Sequence, residues 1–516
     1  MPAGTVRRRH RLLLATAAAT VGALLLSACT TTTPAPETTV KSSAEASIIG
    51  EVPAELNAYY AQAVTWTSCN GGFQCAQVEV PMDYAKPLST SIKLSVIRLP
   101  ASGKRLGAML INPGGPGASG VDMAKNGAKS YFSDKLRGAY DIVGFDPRGV
   151  QRSEPVKCLS DAQMDASRQE SFDLGTDAGL QAAEAATKTE TDLCVKNTGP
   201  VLAYIDTVSS ARDMDILRAV VGDPKLNYMG FSYGTKLGAT YAGLFPARVG
   251  KFSLDGALDP TLTIDQVSMG QAVGFENALR AWAANCLGTK DCPVSGTVDT
   301  ALSQIRDLNA VYTKTPAQTP SGRSVTGDEF TNAVAFAMYS TDLWDPLTGA
   351  LKQAFAGDAS GMLALADYSA DRDSDGKYQS NTAAAFTAIN CLDYPMNSNT
   401  AHMREDAAAL EKASPTFGKL LAYSGLGCKF WPFPATGKPA EISAAGAGPI
   451  LVIGTTGDPA TPYQWAQSLA KQLESGVLIT WKGDGHTAYG RANACLTTTV
   501  DDYFVEGKVP ADGTTC

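Results

Sequence analysis

The sequence predicts an α/β fold: a mainly parallel sheet with helices on both faces and a large helical cap inserted into it. Three observations carry this. Short, uniformly apolar stretches recur between glycine, proline and aspartate, as expected of strands buried on both faces. Helix-period segments separate them. The alternation gives way near residue 261 to periodic helices and resumes near 440. The sheet domain is therefore expected in two parts, 51–260 and 441–516, with the cap over 261–440.

Taken in order, the chain of 516 residues opens with Arg7, Arg8, Arg9 and Arg11, then an apolar run from Leu12 to Leu26. Residues 1–28 read as a secretion signal, because the run is short and its flank is basic. It ends in Leu26-Ser-Ala-Cys29, like a bacterial lipobox, which makes Cys29 the expected lipidation site. Residues 29–50, rich in Thr and Pro, read as a tether with no means of forming a core. The remaining ten of the 11 cysteines lie close together in twos: Cys69 and Cys75, Cys158 and Cys194, Cys286 and Cys292, Cys391 and Cys428, Cys495 and Cys516. In an exported chain, sequential disulfides are the simplest arrangement. Zinc is the rival, disfavoured because the spacings are not Cys-x-x-Cys and histidine is scarce.

Residues 51–75 read as an entry segment, a short helix over Pro53 to Ala63 and then a bridged loop. Ala76–Pro81 and Ser91–Arg98 alternate like a hairpin at a sheet edge. Ala108–Asn112 reads as a central strand, and so does Tyr140–Asp146. Asp146 and Arg148 are expected to pair and brace their loops. Ser153–Gly199 is a polar helical excursion, and Thr207–Gly222 an amphipathic helix with Ser/Thr caps. Val249–Pro260 reads as the next strand, with its acidic residues Asp255 and Asp259 at the rim where open α/β sheets take ligands. Under the cap, Tyr339, Trp344, Tyr378, Tyr394, Phe430 and Trp431 are candidates for an aromatic cavity. The sheet pattern resumes from Pro449, with Asp458 in the loop just beyond the buried strand, and Gly476–Trp481 reads as the last strand.

The chemistry centres on Leu226-Asn-Tyr-Met-Gly-Phe-Ser232-Tyr-Gly234. It reads as a buried strand, a sharp turn with Ser232 at the apex, and a helix start. Gly230 and Gly234 leave room where side chains would collide. Serine needs a general base, and the chain has only 3 histidines. His10 leaves with the signal, and His402 lies among polar cap residues. His486 sits in a glycine-rich loop after the last strand, behind the loop that carries Asp458. The order Ser232, Asp458, His486 is that of an α/β-hydrolase. Asp484 is a weaker rival acid, two residues from the histidine. Asn112-Pro-Gly-Gly-Pro-Gly117 follows a core strand without the spacing of a nucleotide fingerprint. It fits an oxyanion loop, with the Gly115 N–H as one donor and the Tyr233 N–H as the other. A net charge of −8 and the lack of a basic groove argue against nucleic acid.

With these motifs in place, the chain resembles the actinobacterial tripeptidyl aminopeptidases and related cell-envelope serine hydrolases, relatives of proline iminopeptidase. The resemblance rests on the lipobox, Asn112–Gly117, Asp146-Pro-Arg-Gly149, Gly230–Thr235, Asp255-Gly-Ala-Leu-Asp259-Pro, Cys391-Leu-Asp393, Gly457–Pro462 and Gly485-His486-Thr. It implies an α/β-hydrolase fold and a triad of Ser232, Asp458 and His486. It also implies release of short peptides, often tripeptides, from free N-termini of peptides or unfolded proteins. Proline iminopeptidases have histidine where this chain has Asn112. An enzyme of that kind must recognise a free ammonium group, and Asp393, Asp259 and Asp255 are the candidate carboxylates. The mechanism requires no metal and no organic cofactor, and the membrane is expected to matter only through the lipid anchor. The rival readings are a carboxylesterase or lipase with the same triad, a serine carboxypeptidase, and an inactive envelope binding protein.

Overall fold

The computed structural model describes residues 40–42 and 46–516; the signal segment and Cys29 lie outside the described residues. The described residues form one compact unit. Thirteen strands occur among the described residues: β1 (Val40–Ser42), β2 (Val64–Cys69), β3 (Phe73–Pro81), β4 (Ser91–Leu99), β5 (Gly107–Asn112), β6 (Tyr140–Phe145), β7 (Leu226–Phe231), β8 (Val249–Asp255), β9 (Ala317–Gln318), β10 (Ser324–Val325), β11 (Ile450–Gly457), β12 (Gly476–Asp484) and β13 (Thr514–Thr515). All but β9 and β10 join one 11-stranded sheet, in the order β1-β2-β3-β4-β6-β5-β7-β8-β11-β12-β13. The pairs from β1 to β4 and the β4–β6 pair are antiparallel, and the sheet is parallel from β6 onward.

The parallel strands are apolar throughout because helices cover both faces. Leu110, Tyr228 and Leu254 point into one core, with the helices Thr207–Val220 and Tyr233–Leu244. Met109, Ile111, Met229, Leu451 and Ile453 point into the other, under Gly120–Tyr131 and Ala494–Glu506. Between β8 and β11 the chain builds the predicted helical cap, with its own core of Phe275, Trp282, Leu302, Phe330 and Leu351. The structure contains the five sequential disulfides.

Three expectations need correction. The entry segment is not all helix and loop: Val64–Cys69 is a strand, and Val40–Ser42, read as tether, pairs with it. Asp146 and Arg148 do not pair with each other. Asp146 receives Arg152 at 3.1 Å, while Arg148 binds Asp213 through two hydrogen bonds of 2.8 and 2.7 Å. Thr207–Val220 is also not half-solvated, since most of its polar residues are buried too. Asp213 meets Arg148, and Asp215 meets Arg218 at 2.7 Å, with the Tyr241 hydroxyl donating to it at 3.0 Å. Charges can lie inside a core only when they are paired and saturated.

Arg148 meets that condition fully. Besides Asp213, its guanidinium donates to the carbonyls of Pro81, Met82 and Tyr204, so every N–H has an acceptor. Removing it leaves the Asp213 carboxylate buried with no cation beside it and only the Tyr84 hydroxyl donating to it, at 2.8 Å. Arg148→Ala is expected to cost about 3–5 kcal/mol of stability, read by urea unfolding. A loss below about 1 kcal/mol, the size of a surface pair, would contradict this account.

Candidate active site

Ser232 follows β7 directly and opens the helix Tyr233–Leu244. Its backbone lies at φ +56°, ψ −124°, a conformation L residues rarely adopt. The flanking glycines are sterically required. A Cβ on Gly230 would fall 2.4 Å from the Gly234 carbonyl oxygen, and one on Gly234 would fall 2.8 Å from that of Asn112. The bend is held by hydrogen bonds at both ends. Ser232 N–H donates to the Asp255 carbonyl at 2.9 Å, and the Ser232 carbonyl accepts from Thr235 N–H at 2.8 Å.

Gly115 and Tyr233 line the same cavity as Ser232. The Tyr233 N–H, at the first helical position, has no intrahelical acceptor to meet. The glycine-rich loop lies very close to it: a Cβ on Gly114 would sit 2.9 Å from Ser232 Cβ and 3.0 Å from the Tyr233 nitrogen. Asn112, buried behind the loop, accepts the Gly114 N–H at 2.9 Å and sets its path.

Asp458 follows β11 and His486 follows β12, so the parallel register delivers both loops to one sheet edge. The structure brings the two residues together, with His486 Nδ1 2.9 and 3.0 Å from the two Asp458 oxygens. The carboxylate is buried, and it also accepts from the N–H groups of Ala460, Thr461 and Thr487 and from the Thr461 hydroxyl. Such a set holds the carboxylate in one orientation. The Thr461 hydroxyl also lies 3.3 Å from Nδ1. His486 Nε2 is buried and makes no hydrogen bond within the protein, so the Ser232–His486 bond is not formed in this state. Bonds of this kind often tighten only around substrate. Asp484 makes no contact with the imidazole; it lines a separate cleft beside Gly457.

The cap helps to hold His486. His486 N–H donates to the carbonyl of Tyr339 at 2.9 Å, and the Tyr339 ring meets the imidazole edge-on at 5.4 Å. Arg491 clamps both carbonyls, donating to Tyr339 at 2.8 Å and to His486 at 2.6 Å. Nothing in the local sequence marked Tyr339 for this part, or Thr461 for its own.

The cavity over Ser232 measures about 250 Å³. Leu258, Ile264, Val267, Phe386 and Leu420 make it largely apolar, and Tyr394 is the one member of the expected aromatic set that lines it. Trp344 packs in the cap core, Trp431 against the sheet-domain core, and Tyr378 faces a neighbouring cavity.

The three carboxylates proposed for the substrate amine have other partners. Asp255 is fully buried and accepts the N–H groups of Ala488 and Tyr489, which anchors the histidine loop. Asp259 accepts from Thr261 and Gln472. Asp393 receives Lys236 at 3.1 Å and the Thr207 N–H at 2.9 Å, tying the cap to the helix behind Ser232. None of them lines the cavity, and no other carboxylate among the described residues does. A carboxylate without a partner lies next door. Glu190 lines two adjoining cavities of about 780 and 620 Å³, and burial raises its pKa. Phe386 lines both the second of these and the cavity over Ser232.

Burial lifts the Asp255 pKa from 3.8 to about 6, against the lowering effect of its two backbone donors. Its contribution to stability is thus full below pH 3.8 and is lost as the pH rises through 6. About two pKa units correspond to about 3 kcal/mol. The stability difference between wild type and Asp255→Asn should therefore change by about that much between pH 4 and pH 7, favouring wild type at low pH. Denaturant unfolding measures it, and a difference independent of pH would contradict it.

The family model described as TAP-like protein matches residues 414–516. Serine protease Hip1 of Mycobacterium tuberculosis is 36% identical over 476 residues, covering 88% of this chain and 91% of that protein. A protein named Carboxylesterase B from the same organism is 36% identical over 449 residues, covering 86% of each chain. The tripeptidyl aminopeptidase of Streptomyces lividans is 30% identical over 466 residues, covering 88% and 86%. With the helical cap set between core strands, these likenesses place the chain in the actinobacterial α/β-hydrolase family that includes Hip1-like serine proteases and the TAP-like hydrolases.

Proposed function

We propose that this serine hydrolase is an exopeptidase that releases short peptides, tripeptides among them, from free N-termini through an acyl-enzyme. Ser232 attacks the scissile carbonyl while His486 Nε2 takes its proton and passes it to the leaving amine. Water then repeats the cycle. Asp458 holds the Nδ1–H tautomer, and Gly115 and Tyr233 N–H groups receive the oxyanion. The observation that carries this reading is the join between the Ser232 turn and a cavity roofed by the cap, beside the Asp458–His486 pair. A roofed site favours chain ends over internal segments. The ammonium group would lie past Phe386, where Glu190 is the carboxylate left without a partner. Export, anchoring through Cys29, and peptides or unfolded N-termini as partners belong to the same reading, which the five disulfides support.

One observation favours the ester-hydrolase reading: the wall over Ser232 is apolar and carries no carboxylate. A peptide panel with free and acetylated N-termini, run beside nitrophenyl esters, separates the two. The exopeptidase reading expects a strong preference for the free amine, and equal rates on both forms would sink it. Ser232→Ala should lose at least about 10³-fold in kcat on every substrate and fail to react with a fluorophosphonate. Glu190→Gln should raise KM for free-amine peptides about tenfold while leaving ester hydrolysis unchanged. An unaltered amine preference in that variant would free Glu190 of the role.

A further inference from the structure

Away from the catalytic loops, one cluster in the cap has the composition and spacing of a metal site. His402 and Asp406 stand four residues apart on the helix Thr400–Ala413, so they share one face. Asp265 faces them from the first turn of the helix Ile264–Leu287. His402 Nε2 lies 3.0 Å from an oxygen of Asp265 and 3.2 Å from one of Asp406. One ligand atom from each residue falls within 4.8 Å of the others. One nitrogen and two carboxylate oxygens, from two helices, are thus already turned toward a common point.

We propose that Asp265, His402 and Asp406 bind a divalent transition-metal ion of the zinc type. Zinc bonds of about 2.0–2.2 Å set tetrahedral ligand–ligand edges of about 3.3–3.6 Å, so the two separations from His402 Nε2 need change by only a few tenths of an ångström. One imidazole and two carboxylates form a donor set that suits zinc better than calcium or magnesium, which take oxygen alone. Beside the cluster is a small cavity of about 20 Å³, lined by both aspartates and by Ser268, Asn397 and Ser424. That is room for about one water, which a three-residue site needs as its fourth ligand. The three side chains are about one-third exposed, so an ion can enter from solvent.

The position gives the site a consequence. Ile264, Val267, Ser268 and Gln271, on the same helix as Asp265, line the cavity over Ser232. The Thr400–Ala413 helix makes no such contribution. An ion joining the two helices would brace that wall of the cavity from behind. It would take no part in acyl transfer.

Isothermal titration of the intact protein with Zn²⁺ tests this, with unfolding temperature as a second readout. Wild type should bind one tight equivalent and unfold at a higher temperature in its presence. His402→Ala and the milder Asp406→Asn should each lose that equivalent or weaken it by about tenfold or more. Zinc held elsewhere, for instance at His486, would survive both substitutions. No uptake by wild type, or equal uptake by wild type and both variants, overturns the proposal.

Discussion

A serine held at φ +56° is the constraint on which the rest of the site depends. Such a conformation costs of order 1–3 kcal/mol, and an isolated turn would relax out of it. Here the surroundings leave no room to relax. β7 lies between β5 and β8, the Ser232 N–H is taken by the carbonyl of Asp255 on β8, and Gly230 and Gly234 pack against their neighbours with no space for a Cβ. The strain is thus offset by the central sheet. It leaves Ser232 at the end of β7, with the unpaired first N–H of the following helix beside it and both residues lining one cavity.

The same economy explains the acids. The chain is net acidic, yet it does not place carboxylates over Ser232. Most of those near the site instead hold the frame. Asp255 fixes the histidine loop, Asp393 ties a cap helix to Lys236 beside the elbow, and Asp213 saturates Arg148 beneath the loops. Each is buried, and each is satisfied by two or more donors, which is the condition for keeping a carboxylate inside a protein. Glu190 departs from that pattern, since it lies in a cavity with burial raising its pKa and no partner to lower it.

Much of this was legible in the sequence, and the exceptions have a physical reason. The strand–turn–helix around Ser232, the two late loops and the five cysteine pairs are local signals: glycines at fixed offsets, short apolar runs, a scarcity of histidine. Carboxylate roles are not local. Asp255 ends a strand in the manner of a ligand-binding residue, yet its donors, Ala488 and Tyr489, come 233 and 234 residues later. The helix Thr207–Val220 looked amphipathic because its polar positions are periodic; whether they meet water or buried partners is decided by segments far along the chain. Val64–Cys69 does alternate as a strand should, but the alternation is short and runs straight into the turn at Asn70-Gly-Gly, which hides it between the entry helix and the Cys69–Cys75 bridge.

The cap is more than a roof. The loop carrying His486 passes through two left-handed residues, Gly485 at φ +100° and Thr487 at φ +66°, so by itself it would not dictate where the imidazole lies. Three anchors from different parts of the chain do. The Asp255 carboxylate holds the N–H groups of Ala488 and Tyr489, Asp458 holds Nδ1 and the Thr487 N–H, and the Tyr339 carbonyl of the cap holds the His486 N–H. Two of these come from the sheet and one from the insertion. A displacement of the cap by even an ångström at Tyr339 must therefore either break that bond or carry the base with it. The sheet fixes the Ser232 backbone, whereas the position of His486 is set by the sheet and the cap together.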